Sequence, residues 1–131
     1  MNNFADNIIF TEEHVWLQPS GDNEFTLGIS DYAQEQLGDL VFVELPDVGS
    51  ATQANKACAV AESVKSASDV ICPIDGEITA INEKLEDSPE LINESPYNEG
   101  WIVRIKSNTH IEFAGKMSAE QYNQFLNNNG N

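Results

Sequence analysis

The chain has 131 residues, with 22 acidic side chains against six basic ones and a formal net charge of −16 at pH 7. This length supports one domain with its own core and is too short for two ordinary domains. The charge argues against binding to nucleic acid or an anionic membrane, because phosphate groups would be repelled, and it favours encounters with basic patches on partner proteins. We expect a monomeric single domain over residues 1–131, with residues 127–131 as a frayed tail.

No apolar run reaches the length of a membrane span. Residues 1–7 lack the basic start and long apolar region of a signal peptide and the arginines of a transit peptide. These features predict a cytoplasmic protein of bacterial type. The mature form of an organelle protein would show the same pattern.

Short alternating apolar segments predict strands early in the chain, over residues 7–10, 14–17 and 24–29. Turn residues at 19–23 join the last two strands into a hairpin. A short helix should follow over residues 30–38. Ser30 or Asp31 can cap its start, and Gly38 can end it in a left-handed conformation.

The middle of the chain contains a predicted strand and a predicted hairpin. Residues 40–45 are β-branched and aromatic, and we expect Phe42 to be buried there, so that its replacement by alanine would cost roughly 3–5 kcal/mol. Apolar residues 57–61 and 70–74 approach a short polar segment from either side. This pattern predicts a β-hairpin with Lys65 at or next to its turn.

Two more strands and two short helical segments are predicted in the last part of the chain. The strands cover residues 77–81 and 101–106, a helical turn covers residues 87–92 with Ser88 as its cap, and a C-terminal helix covers residues 118–126. Many short strands separated by turns favour an all-β sandwich or a partly closed barrel, with the helices attached to it.

The sequence offers no recognisable catalytic or metal-binding set. His14 and His110 have no second ligand near them at metal spacing. Cys58 and Cys72 each lie seven residues from Lys65, so a symmetric hairpin would bring them close, and we expect two free, mostly buried thiols. No nucleotide-binding motif is present. These observations favour a protein that is not an enzyme.

A domain without chemistry of its own can carry a reactive group for other enzymes. A tight hairpin would present the Lys65 amine away from the body of the protein, and small neighbours at Ser66 and Ala67 would leave room for an approaching active site. This arrangement suits covalent modification. From these residues alone, a solvated turn lysine is the simpler interpretation.

The segment around Lys65, Glu-Ser-Val-Lys-Ser-Ala-Ser-Asp at 62–69, resembles the lipoylation motif of the glycine cleavage system H proteins. Other stretches are similar to signatures of the same family, over Gly38–Gly49, Pro73–Ile78, Leu85–Asn93 and Pro96–Trp101. The resemblance runs from Ile8 to Leu126, which is nearly the whole chain.

This resemblance implies a mainly β barrel-sandwich hybrid fold with two or three short helices, one of them C-terminal. It implies a lipoyl group in amide linkage on Lys65, within a segment that lipoate-attachment enzymes recognise through Glu62, Ser63, Val64 and Ala67. The lipoylated protein would take an aminomethyl group from a pyridoxal-phosphate-dependent glycine decarboxylase and deliver it to a folate-dependent aminomethyltransferase. Dihydrolipoamide dehydrogenase would then reoxidise the dithiol.

The resemblance also implies a cleft that shelters the loaded arm, and the chain departs from the family pattern there. Val15 stands where the family commonly has a cleft glutamate, and Tyr32 stands where it often has histidine. Valine cannot balance the charge of an amine. Asp69 matches a retained polar position, and Glu13 is a candidate substitute for the missing carboxylate.

Other functions remain open from the sequence. A related carrier that relays lipoyl groups to other enzymes would fit the changes at Val15 and Tyr32. An acidic interaction module with an unmodified Lys65 is the alternative of a different class. Lipoyl domains of 2-oxoacid dehydrogenases and biotin carriers are disfavoured, because the tip carries neither Asp-Lys-Ala nor Met-Lys-Met.

Overall fold

The structure, a computed structural model, describes residues 8–107 and 117–129. These ranges contain nine strands: β1 (Ile9–Phe10), β2 (Val15–Gly21), β3 (Glu24–Ile29), β4 (Leu40–Glu44), β5 (Ala51–Thr52), β6 (Lys56–Ser63), β7 (Ala67–Cys72), β8 (Gly76–Ile81) and β9 (Val103–Ser107). They also contain four helices: α1 (Asp31–Leu37), α2 (Lys84–Asp87), α3 (Leu91–Glu94) and α4 (Ala119–Asn129).

Two antiparallel sheets form a sandwich. The larger sheet has the strand order β1-β2-β3-β9-β8-β5, and the smaller has the order β4-β6-β7. One core lies between them: Leu17, Leu27 and Ile105 of the larger sheet face Val43 and Val70 of the smaller, each at most 2% exposed. Each such side chain contributes about 1.5–3 kcal/mol through burial. The predicted mainly β fold with a C-terminal helix is confirmed.

Helix α1 has the predicted caps. The Ser30 hydroxyl accepts a hydrogen bond from the Ala33 amide at 3.1 Å, which satisfies one free donor of the first turn. Gly38 ends the helix, as predicted, and its amide donates to the Gln34 carbonyl. Its φ of +84° and ψ of −159° differ from the left-handed helical conformation that was predicted and are nearly exclusive to glycine. The helix therefore begins and ends where the sequence signals predict.

The other helices differ from the prediction in number and bounds. Helix α2 was not predicted, and Ser88 ends it instead of capping the next helix. Helix α3 begins at Leu91, after Glu90. Helix α4 has the capping pair Ser118 and Gln121, whose side chains accept hydrogen bonds from each other's amides at 3.0 and 3.2 Å. It continues to Asn129, three residues past the predicted end.

Several strands also differ from their predicted bounds: β1 begins at Ile9, and β9 covers Val103–Ser107 where residues 101–106 were predicted. β2 continues through Pro19 to Gly21, although proline was expected to begin the turn. β1 pairs with β2 at Trp16 and Leu17. Beyond these residues β2 has, among residues 8–107 and 117–129, a neighbour only on the β3 side, and such a strand can hold a residue without an amide hydrogen. The short strand β5 was not predicted. Asn7, His110 and residues 130–131 lie outside the described ranges.

The expectation that Phe42 is buried is wrong: its side chain is 47% exposed. The pairing of β4 with β6 shifts register between Leu40 and Phe42, which makes Val41 a bulge residue. Beyond the bulge Val43 faces the core and Phe42 faces outward. A β-branched and aromatic run does not reveal which of its alternating positions is buried once a bulge interrupts it.

Candidate functional site: the lysine turn and the adjacent cleft

Lys65 lies in the turn between β6 and β7, as predicted, and is exposed. Ser63 fixes this turn. Its hydroxyl oxygen accepts hydrogen bonds from the Lys65 and Ser66 amides, both at 3.1 Å, and its amide donates to the Ser66 carbonyl at 2.7 Å. The Val64 amide donates to the Asp39 carbonyl at 3.1 Å and ties the turn to the start of β4. The turn backbone is therefore preorganised before any partner binds.

The aliphatic stem of Lys65 lies over Gly38. A Cβ atom built on Gly38 would be 3.3 Å from Cε of Lys65 and 3.8 Å from Nζ. Gly38 directly follows Leu37, which lines a cleft of about 300 Å³ beside the hairpin. Nζ of Lys65 therefore lies beside the C-terminal end of α1, the helix that contributes Leu37 to the cleft.

The cleft is formed by helix α1, strand β7 and the segment before β2. Its lining residues come from the segment before β2 and from β3, α1, β6 and β7: Glu13, His14, Ile29, Tyr32, Ala33, Gln36, Leu37, Ala61, Ser68, Asp69 and Val70. Apolar and aromatic groups thus alternate with two carboxylates. Such a lining suits a ligand with an apolar chain and a positive end.

His14 joins the cleft to the C-terminal helix. Its backbone has φ +67°, which is uncommon for a residue with a side chain. Nδ1 and the Tyr122 hydroxyl share a hydrogen bond at 2.6 Å, and the ring centroid lies 4.9 Å from that of Tyr32. Burial lowers the pKa of His14, and the charge of Glu13 raises it by a smaller amount. The imidazole is thus favoured in its neutral form.

Tyr122 anchors helix α4 against the sandwich. Its hydroxyl lies 2.7 Å from the Ser30 hydroxyl, and its ring stacks on Phe10 with centroids 4.4 Å apart. Burial raises the pKa of Tyr122 to about 12. Together with other side chains it forms what we call the aromatic cluster, made of Ile8, Phe10, Trp16 and Tyr122 with Tyr97, Trp101, Met117, Ala119, Phe125 and Leu126 packed against them.

The structure brings most of the sequence-derived cleft residues together. Glu13, Tyr32 and Asp69 all line the cleft. Val15 does not: it is 1% exposed and belongs to the main core. His14 was interpreted as an ordinary strand residue, and its cleft position depends on the turn that Thr11 begins by accepting from the His14 amide. No local pattern marks that turn.

The residues of the attachment segment surround the lysine. Glu62 and Ser63 are half-buried at the end of β6, and Val64 and Ala67 are exposed on either side of the turn. Gly38 was interpreted only as a helix stop. Its second role, as the surface beneath Lys65, becomes visible only when α1 and the hairpin are placed together.

Both cysteines are free thiols at the base of the same hairpin. Cys72 is buried and pairs with Lys56, whereas Cys58 is half-buried at a bulge between Ala57 and Ala59. The predicted symmetric pairing is therefore shifted. The Sγ of Cys72 donates to the Ile74 carbonyl at 3.2 Å. Hydrogen bonding to Cys72 and burial raise the pKa of Cys58, which makes it a weak nucleophile.

A sandwich that holds one exposed lysine at a fixed turn, beside a partly apolar cleft, has the features of a group-carrier domain. Within residues 8–107 and 117–129 no group of three or more His, Cys, Asp or Glu side chains could hold a metal ion. In the same ranges no helix combines the length and apolar character needed to cross a membrane.

Comparisons with known proteins narrow this class. The family model described as glycine cleavage H-protein matches residues 8–129. Curated glycine cleavage system H proteins are similar along the chain: that of Pseudoalteromonas atlantica is 54% identical over 93% of this chain and 95% of its own. That of Cronobacter sakazakii is 48% identical over 96% and 98%.

A solved structure gives the same result. The crystal structure of a glycine cleavage system H protein from Mycobacterium marinum matches with a TM-score of 0.82 and 32% identity, covering 98% of this chain and 100% of that one. The chain therefore belongs to the glycine cleavage H-protein family, and the resemblance found in the sequence is confirmed. Membership assigns it the carrier role in the glycine cleavage system.

Proposed function

We propose that Lys65 is the attachment site of a lipoyl group in amide linkage and that the protein carries aminomethyl groups between the enzymes of glycine cleavage. The single observation that supports this most strongly is the position of Lys65. The residue is exposed at a fixed turn, and its stem lies over Gly38 at the end of α1, the helix that lines a cleft able to shelter an attached arm.

The residues around the turn fit such a group. Lys65 is followed by Ser66 and Ala67, whose small side chains leave that side of the lysine free for the active site of an attaching enzyme. Ser63 holds the turn backbone by its hydroxyl. We assign recognition by lipoate-attachment enzymes to this segment, including Glu62 and Val64. Once attached, the lipoyl group would supply the dithiolane sulfurs that carry the aminomethyl group and then electrons.

The cleft residues have separate roles toward a loaded arm, whose end is cationic. Glu13 and Asp69 both line the cleft and supply negative charge there. His14 and Tyr32 form an aromatic wall, and Leu37 covers the apolar part of the arm. We assign to Glu13 the negative charge that the family commonly places at position 15, since Glu13 lines the cleft whereas Val15 is buried in the core.

The partners follow from this role. They are a pyridoxal-phosphate-dependent glycine decarboxylase, a folate-dependent aminomethyltransferase, dihydrolipoamide dehydrogenase and the lipoate-attachment enzymes. The relatives above are bacterial, and we place the protein in the cytoplasm. The protein itself supplies no catalytic group: Lys65 is a tether, and tethering raises the concentration of the arm at a docked enzyme.

The attachment is tested by incubating the full-length protein with lipoate, ATP and a purified bacterial lipoate ligase. Intact mass should show one added lipoyl group, which peptide mapping places on Lys65. Lys65→Ala should remain unmodified, and Lys56→Ala is the matched control, since Lys56 is an exposed lysine on the same hairpin. Modification of Lys65→Ala, or none of the unsubstituted protein, would refute the assignment.

The shuttle is tested separately from attachment. The lipoylated protein is mixed with a purified bacterial glycine decarboxylase, and glycine-dependent reduction of the dithiolane is measured. Reduction at a rate comparable to that of a related H protein supports the shuttle. Normal attachment without glycine-dependent reduction would favour the lipoyl-relay carrier.

A further inference from the structure

An exposed apolar patch lies beside the lysine turn, and apart from Val64, which belongs to the attachment segment, the proposed function does not account for it. Val41, Phe42 and Val64 are 54%, 47% and 70% exposed. Isolated exposed apolar side chains are ordinary, but these three lie at the same end of the smaller sheet. We call them the turn patch.

The backbone brings the members of the turn patch together. The Val64 amide donates to the Asp39 carbonyl, which places Val64 beside the start of β4. Phe42 pairs with Glu62, one residue before the end of β6, so it lies near the turn that carries Lys65. The bulge turns Val41 outward as well. The hydrogen bonds of the sheet thus hold the turn patch open to solvent.

Acidic side chains frame the turn patch. Asp39 and Glu44 are exposed at the two ends of β4, and Glu62 lies directly across from Phe42 on β6. An apolar centre with an acidic rim fits a partner surface that has an apolar pocket surrounded by lysine or arginine.

We propose that the turn patch is the docking surface for the lipoate ligase that modifies Lys65. This inference rests on the proposed attachment. In the reaction, Nζ attacks the acyl carbon of a lipoyl adenylate, the C–N amide bond forms, the bond from that carbon to the phosphate oxygen breaks, AMP leaves and the amine loses a proton to solvent. The ligase must therefore bring its active site to Nζ itself. An enzyme bound in that position also covers the turn patch, because the patch lies beside the lysine.

The enzymes that act on the attached dithiolane have a different requirement. They react with the far end of the arm and can bind without covering the base of Lys65. Contact with Phe42 and Val64 is thus expected to matter most for the ligase, which reacts at the lysine.

The test measures ligation kinetics on the full-length protein with Phe42→Ser and Val64→Ser, using purified bacterial ligase, lipoate and ATP. We expect KM for the protein to rise about tenfold or more for Phe42→Ser, and kcat to change less than about twofold. Val48→Ser is the matched control. Val48 is 58% exposed but lies beyond the end of β4 that is farther from the turn. The KM of the ligase for Val48→Ser should therefore equal that for the unsubstituted protein. Circular dichroism and thermal unfolding verify that each variant folds.

The outcomes separate this inference from the proposed attachment. If the unsubstituted protein is not modified, both the attachment at Lys65 and the docking surface are refuted. If it is modified and Phe42→Ser keeps its KM, only the docking surface falls. It also falls if Phe42→Ser ligates normally but loses glycine-dependent reduction, because the patch then serves the decarboxylase. A dimer seen by sedimentation that Phe42→Ser abolishes would instead assign the patch to a second copy of the chain.

Discussion

The lysine turn and the aromatic cluster use side chains in opposite ways. Around Lys65 the side chains are small or exposed, and backbone hydrogen bonds to Ser63 hold the shape. In the aromatic cluster large rings are buried, and Trp16 and Tyr122 are at most 2% exposed. From this difference we expect Lys65, the proposed attachment site, to add little to stability, whereas the cleft residue His14 packs against a helix from the other end of the chain.

The largest effect should come from the aromatic cluster. Trp16→Ala removes a ring that is 1% exposed and whose Nε1 donates to the Pro96 carbonyl at 3.0 Å. We expect a loss of roughly 3–5 kcal/mol in the free energy of unfolding, measured by urea titration at pH 7. A loss below about 1 kcal/mol would show that the cluster does not support the sandwich.

A smaller change tests the polar link within that cluster. Tyr122→Phe keeps the stacking on Phe10 and removes the hydrogen bonds to His14 and Ser30. We expect a cost of about 1–3 kcal/mol in urea unfolding, because both partners lose a bond in a largely buried site. Tyr97→Phe removes another hydroxyl near the cluster, which accepts from the Asp31 amide at 2.8 Å, and serves as a comparison. An unchanged stability for Tyr122→Phe would contradict the link.

Gly38 is expected to matter both for folding and for the lysine. Gly38→Ala should cost about 1–2 kcal/mol, because its φ of +84° disfavours any residue with a Cβ. Gly49→Ala is the matched control: Gly49 has φ +95°, and apart from its own chain neighbours no atom of the described residues would lie within 4 Å of a Cβ added there. Both variants should lose similar stability, and only Gly38→Ala should alter the ligation rate at Lys65. Equal ligation rates in the two variants would show that Gly38 has no role in the modification of Lys65.

The pH dependence of stability tests the neutral state of His14. Because its pKa is lowered in the folded protein, the unfolded chain binds more protons between the folded and unfolded pKa values. Stability should therefore decrease as pH falls below about 6.5, the unfolded value, and level off below the folded pKa. In the variant His14→Asn, asparagine tolerates the positive φ of this position but does not titrate. The variant should therefore lack the His14 part of the pH dependence of the unfolding free energy in urea titrations from pH 7 to pH 5. An identical pH profile in both proteins would contradict it.

The smallest change in stability is expected at the lysine turn. Lys65→Ala should alter the free energy of unfolding by no more than about 0.5 kcal/mol, because the side chain is exposed. The same variant should lose lipoylation completely by intact mass. A loss of several kcal/mol would mean that Lys65 has a structural role and would remove the contrast with the aromatic cluster.

Features set by neighbours in sequence were predictable. The caps of α1 and α4, the hairpin around Lys65 and the alternating strands all depend on residues a few positions apart. The cleft was only partly predictable. His14 and Tyr122 are 108 residues apart, and no local pattern reports that they meet. The bulge at Val41 likewise reversed the exposure expected for Phe42, because register depends on the partner strand.

The Ser63 hydrogen bonds have a mechanical consequence. Since they hold the backbone on both sides of Lys65, the Cα position from which an attached group would extend is fixed. The volume that an attached group can sweep is then set by rotation about side-chain bonds, and its reach is the same in every encounter. A partner that binds this turn does not have to order a loop first, so binding avoids that entropic cost, and the distance over which the attached group can reach is defined.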